Sequence, residues 1–217
     1  MINNLFKRVI TSAVLLFILF GSLIYQKYLW IILLSIASII AFIEFSNIIK
    51  KIWKSNTYKV YFANIIVFLY LIFFTLSTYN YSKTLEDIVF VLSICVFSDI
   101  GGYVVGKTVG GKKLTKISPN KTISGSIGSF IFSLIPLIIF SMISFKNLQL
   151  NFIDEILFTL FISFVCQIGD LFISFFKRKA EVKDTGTILP GHGGLLDRID
   201  GILFAIPITF ILDNFFF

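Results

Sequence analysis

Seven runs of mostly apolar positions, at 9–25, 29–49, 60–79, 85–105, 123–145, 152–176 and 199–217, alternate along this chain with short polar segments. Each run is close to the ~20 helical residues that cross a ~30 Å hydrocarbon core. Stretches such as Val14-Leu15-Leu16-Phe17-Ile18-Leu19-Phe20 do not alternate between apolar and polar positions, as the strands of a transmembrane barrel would. The pattern predicts an all-α, polytopic membrane protein of about seven transmembrane helices. The first run follows Lys7-Arg8 as a signal peptide would, but no small-x-small cleavage site comes before the next run, so it is expected to stay as an anchor. Residues 1–82 form a generic N-terminal membrane region. Residues 83–217 carry the chemistry, with polar loops at 106–122 and 177–198.

Composition sharpens this reading. A chain with 57% hydrophobic and 14% charged residues cannot present a soluble globule's surface, and 27 Phe exclude a solvated coil. The net charge of +7 matters through its distribution. Seven alternating spans place 16 of the 19 Lys and Arg on one side, leaving Lys27, Lys83 and Lys146 on the other. By the positive-inside rule the N-terminus and both long loops are expected to face the cytoplasm, at the cell (inner) membrane. The basic balance is thus assigned to topology and to anionic membrane lipids, and no nucleic-acid partner is expected. Cys95 and Cys166 lie within apolar runs and read as small buried hydrophobes without a disulfide.

Acids inside the apolar runs point to function, because a charge at the centre of a spanning helix costs at least about 2.5 kcal/mol. Asp99 lies near the end of the fourth run and Asp170 in the sixth, while Asp197 and Asp200 open the last run with i, i+3 spacing, on one helix face. All four are expected to converge at one depth. Acids beside basic loops suit a metal-assisted phosphate site, the acids holding Mg²⁺ and the cations holding phosphate oxygens. The plainer alternative is that Asp99 and Asp170 sit at an interface or pair with nearby Lys. Glu44 stands alone near the end of the second run and reads as a snorkelling or structurally paired acid.

The segment from Leu189 to Asp200 concentrates polar chemistry. Gly191, Gly193 and Gly194 allow a backbone turn close to phosphate oxygens, His192 is the one histidine, and Arg198 lies between two acids. Gly101 to Thr108 also spells GxxxxGK[ST]. A P-loop needs a strand before it and a helix after it, so here the match reads as coincidence.

At these residues the chain resembles the CDP-diacylglycerol synthase family. The resemblance rests on Ser174 with Lys177-Arg178, Lys183-Asp184, Gly186, Leu189-Pro190, His192-Gly193-Gly194 and Asp197-Arg198-Ile199-Asp200. Upstream it includes Ser98-Asp99, Gly106-Lys107, Lys113-Leu114, Ser118 to Thr122, Gly125 and Gly169-Asp170-Leu171. The chain departs from the family pattern at Ile100, Ser124 and Ile173, where Thr, an acid and Glu are usual.

The resemblance implies phosphatidate cytidylyltransferase activity, in which CTP and phosphatidate give CDP-diacylglycerol and diphosphate. It implies Mg²⁺ as cofactor, with a second cation as an open alternative, and a homodimer. Under that reading Asp170, Asp197 and Asp200 hold the metal with Asp99 in support, and Lys183 and Arg198 join them in the catalytic group. Ser98, Asp99, Lys121, Lys177, Arg178, His192, Gly193 and Gly194 contact the substrates. Two other readings stay open: a CTP-dependent enzyme acting on another lipid phosphate, and a cation-coupled transporter whose intramembrane acids line an ion path.

Overall fold

The computed structural model describes residues 11, 14–15, 17–19, 21–22, 27–81, 85–143, 151–191 and 193–216. Six helices follow one another: α1 (Lys27–Ile52), α2 (Thr57–Tyr81), α3 (Leu85–Thr108), α4 (Ile123–Met142), α5 (Phe152–Lys179) and α6 (Leu196–Phe216). They coincide with the second to seventh apolar runs. The run at 9–25 lies largely outside the described residues, and those of its residues that are described are helical. The described residues hold no strand, only isolated bridges between Lys113 and Thr122 and between Leu189 and Gly193. The fold is all-α. Helices α1 to α5 are long and apolar enough to cross a membrane. Helix α6 is not among them and carries Asp197, Arg198, Asp200 and Asp213 in 21 residues.

Helix boundaries follow local chemistry. Asn56 accepts the Lys59 N–H at 3.0 Å through its side chain, starting α2 after a turn at Trp53 to Ser55. Thr122 is the N-cap of α4 and accepts the Gly125 N–H at 3.1 Å. Helix α5 begins with Asp154 and Glu155 and ends with Lys177, Arg178 and Lys179, charges that complement the helix dipole at both ends.

Two compact units make up the chain, one extending to Tyr79 and including Phe176–Ile199, the other comprising Asn80–Phe175 and Asp200–Phe217. In the first, Phe45, Ile48, Ile49, Leu71 and Phe74 are buried, and the Phe45 and Phe176 rings lie 5.0 Å apart. Along α1, Ile32, Ile36, Ile39 and Ile43 point outward. A helix apolar on its outer side as well as its inner one suits lipid surroundings.

In the second unit, Ile88, Val91, Ile94, Ile162, Val165 and Ile206 form the core together with the free thiols Cys95 and Cys166. Hydroxyls lie inside it: Ser98 and Ser163 share a 2.9 Å hydrogen bond, and Ser133, Thr159 and Thr209 are fully buried. Small residues let α3 and α4 meet backbone to backbone. A methyl group on Gly128 would stand 2.5 Å from the Val105 Cβ and 2.7 Å from the Gly101 carbonyl. The whole GxxxxGK stretch from Gly101 to Thr108 is helical in α3, so it forms no phosphate-cradling turn. Its glycines serve packing instead.

Candidate functional site

The loop between α3 and α4 folds back on itself. Leu114 donates its N–H to the Lys121 carbonyl at 2.9 Å, Lys121 donates to the Ser118 carbonyl at 3.1 Å, and Ile123 donates to the Lys112 carbonyl at 3.0 Å. These bonds carry Lys121 to the mouth of a cavity of about 320 Å³ in the second unit. Asp99, Tyr103, Ser118, Asn120, Lys121, Ser126, Gln167 and Asp170 are among its lining residues. Lys121 and Asp170 form an ion pair with both side chains just over one-quarter exposed. Ser174, one turn further along α5, donates its hydroxyl to Asp170 at 3.3 Å. Gly169 lets α5 approach α6 closely, since a methyl group there would meet the Asp200 carbonyl at 2.6 Å. Asp99, Asp170 and Asp200 thus belong to one unit, and Asp99 and Asp170 to one cavity.

A second polar arrangement lies in the first unit. Asp197 is only 6% exposed, and its Oδ1 accepts from Lys177 Nζ at 2.7 Å. Its Oδ2 accepts from the Thr185 N–H at 2.8 Å, the Thr185 hydroxyl at 3.0 Å and the Gly194 N–H at 3.1 Å. Burial pushes this carboxyl up, but the hydrogen bonds and the Lys177 charge outweigh it and hold the group below its ordinary value of 3.8. Glu44, 3% exposed, accepts from the Leu195 N–H on Oε1 at 3.0 Å. Its Oε2 accepts from the Leu196 N–H and the Thr185 hydroxyl, both at 2.9 Å. Gly194 has to be glycine for this to fit, because a methyl group there would meet Glu44 Oε2 at 2.5 Å.

Against the sequence reading, the four acids divide by environment. Asp99 and Asp170 share the cavity, where Asp170 takes Lys121 on Oδ2 and Ser174 on Oδ1, whereas Asp197 belongs to the other unit and has its oxygens on Lys177, Thr185 and Gly194. Asp200 accepts the Gly201 N–H on Oδ1 at 2.9 Å. Ser98, expected at the substrate, is fully buried against Ser163 and does not line the cavity. Gly193 takes a left-handed φ of 86°, and Gly194 donates its N–H to Asp197. Arg178, Lys183 and Arg198 are exposed. His192 lies outside the described residues.

Among the described residues no three His, Cys, Asp or Glu side chains form a ready-made metal cage. Sequence reasoning missed Gln167 and Ser126, whose neutral side chains carry no cost in a run to mark them, while Asn120 entered only as part of the Ser118 to Thr122 motif. It read Glu44 as snorkelling or structurally paired, and the structure shows the pairing, with the loop that leads into α6.

A polytopic helical membrane protein with acids and a lysine around one cavity is the class that fold and site define. The family follows from comparison. A model of the cytidylyltransferase family matches residues 47–216, and the chain belongs to that family. The chain is 44% identical over 126 residues to the phosphatidate cytidylyltransferase of Bacillus subtilis (strain 168), covering 57% of this chain and 46% of that protein. It is 45% identical over 132 residues to the Staphylococcus haemolyticus (strain JCSC1435) protein of that name, covering 60% and 50%. The Staphylococcus aureus (strain COL) protein of that name is 45% identical over 133 residues, with 60% and 50% covered. The chain spans about half the length of the curated relatives it matches.

Proposed function

We propose that this chain is the catalytic part of a phosphatidate cytidylyltransferase, transferring CMP from CTP to phosphatidate to give CDP-diacylglycerol and diphosphate. The observation that carries the proposal is the cavity holding Asp99, Asp170 and Lys121 in a bundle whose helices suit a bilayer. A phosphatidate oxygen attacks the α-phosphorus of CTP, forming one P–O bond as the bond to the β-phosphate oxygen breaks and diphosphate leaves. The attacking phosphate needs no dedicated base, because its second pKa of ~6 leaves it largely dianionic at neutral pH. Both reactants are anionic, so Lys121 serves by holding phosphate oxygens in place and offsetting their repulsion. In the other unit Arg178, Lys183 and Arg198 are exposed basic groups suited to phosphate oxygens, while Lys177 is held by Asp197.

The donor chemistry fits Mg²⁺. A nucleotide-bound Mg²⁺ takes one or two protein carboxylates and fills its remaining positions with phosphate oxygens and water, so it needs no protein cage. Asp170 and Asp99 supply hard oxygens at the cavity, and Asp200 belongs to the same unit. When bound, the ion would neutralise charge on the leaving diphosphate. Asp197 belongs to the other unit, with Lys177, Thr185 and Gly194 on its oxygens, and we assign it to holding the loop. The cytoplasmic location of the site rests on the lysine skew, and a homodimer rests on the family resemblance.

Conversion of radiolabelled CTP to a chloroform-soluble product by purified protein in mixed micelles tests the proposal. Label should enter lipid only with phosphatidate and Mg²⁺ together. Label entering only with a different lipid phosphate would move the enzyme to another acceptor, and absence of CTP binding would overturn the reading.

A further inference from the structure

We infer that Gln167 binds substrate, its side-chain Nε2 donating a hydrogen bond to an acceptor oxygen of the nucleotide in the cavity of Asp99, Asp170 and Lys121. The inference rests on the function proposed above and adds to it a residue that neither the resemblance nor the acid pattern singled out. Gln167 lies one turn before Asp170 on α5 and lines the same cavity. Its two amide atoms are treated differently by the protein. Oε1 accepts from the Ser126 hydroxyl at 2.5 Å, while Nε2 is buried with no hydrogen-bond partner.

A buried donor without an acceptor is destabilising, and Leu or Met would fill the same space on an otherwise apolar helix without that cost. Such a group is kept where something outside the fold completes it. The cavity supplies the place: with Oε1 held by Ser126, Nε2 is the amide atom left for an oxygen of a ligand seated beside Gln167. Two carboxylates against one lysine leave the cavity walls net negative, so an anionic nucleotide meets repulsion there that a neutral donor such as an amide helps to offset without adding charge. Volume narrows the occupant, because about 320 Å³ is enough for part of a nucleotide and too small for two acyl chains.

The test is isothermal titration of the full chain in detergent with CTP and, separately, with inorganic pyrophosphate, alongside thermal unfolding without ligand. Q167M is expected to unfold at the wild-type temperature or above it and to bind CTP about tenfold more weakly, the loss of one hydrogen bond to a charged or strongly polar oxygen. Q167E keeps the native shape but exchanges the donor for a carboxylate, and should weaken CTP further than Q167M. A parallel loss for pyrophosphate assigns the contact to a phosphate oxygen, and retained pyrophosphate affinity assigns it to an oxygen of the base or sugar. Wild-type CTP affinity in Q167M overturns the role of Gln167 while leaving the proposed function standing. Affinity lost only in step with thermal stability overturns it in favour of a structural role. A wild-type chain that binds no CTP overturns both and places the failure in the function reading.

Discussion

Glu44 Oε2 and the Thr185 hydroxyl share a 2.9 Å hydrogen bond across 141 positions of sequence. The same carboxylate accepts the N–H groups of Leu195 and Leu196, the latter being the first residue of α6. A side chain on α1 therefore does for α6 what an N-cap residue does locally, satisfying donors that have no partner within the helix. Glu44→Gln keeps the shape but turns an NH2 group toward donors. A loss of about 2 kcal/mol is expected, seen as a lower thermal midpoint in detergent and faster proteolysis between residues 182 and 195. An unchanged midpoint and cleavage pattern would remove Glu44 from this role.

Asp197 gives a pH dependence with a definite sign. Its carboxyl is held below 3.8 by Lys177, Thr185 and Gly194 despite its burial, so the folded state favours the ionised form. The stability it contributes is fully present above the ordinary carboxylate value and is lost as pH falls through the depressed one. Asp197→Asn removes that dependence. Wild type and variant should differ most in thermal midpoint at pH 5 to 7 and converge as pH falls below about 4. A constant gap down to pH 3 would show that the carboxyl is not held in this way.

The all-α membrane fold was legible because apolar runs of bilayer length are a strong signal, and the six described helices fall where the runs are. Asp99 and Asp170 were legible as functional candidates for a related reason, since a charge in an apolar run is costly and shows at once. The division of the four acids was not. Asp197 and Asp200 sit three residues apart on one helix, yet Asp197 faces a web of loop donors that only the folded chain assembles. Gln167 was invisible for the opposite reason, as one neutral amide in an apolar run reads as filler until its unpartnered nitrogen is seen.

Gly128 tests whether the glycines of α3 and α4 serve packing or phosphate binding. A methyl group there meets Val105 and the Gly101 carbonyl too closely for either to yield cheaply. Gly128→Ala should separate the helices and cost about 1–3 kcal/mol, read as a lower thermal midpoint. CTP affinity per folded molecule should be unchanged. A variant with a wild-type midpoint and lost CTP affinity would return these glycines to a nucleotide-binding role.

The Lys121 and Asp170 pair carries the sharpest kinetic expectation, because its two members are assigned opposite tasks. Lys121 holds phosphate oxygens before and during transfer, so Lys121→Met should raise the apparent KM for CTP and lower kcat, with kcat/KM falling about 100-fold. Removing one partner also leaves the other uncompensated, so the free carboxylate of Asp170 adds repulsion to an incoming nucleotide. Asp170→Asn has the reverse electrostatic effect. It leaves Lys121 free to hold phosphate, and CTP should bind as well as in wild type or more tightly without metal. Turnover should nevertheless fall by about 1,000-fold and should not recover with excess Mg²⁺, whereas wild type silenced with EDTA should recover fully. Titration calorimetry beside steady-state assays separates the two variants. Asp170→Asn with normal turnover at saturating Mg²⁺ would take the metal away from Asp170, and weakened CTP binding in that variant would make Asp170 a part of the nucleotide contact.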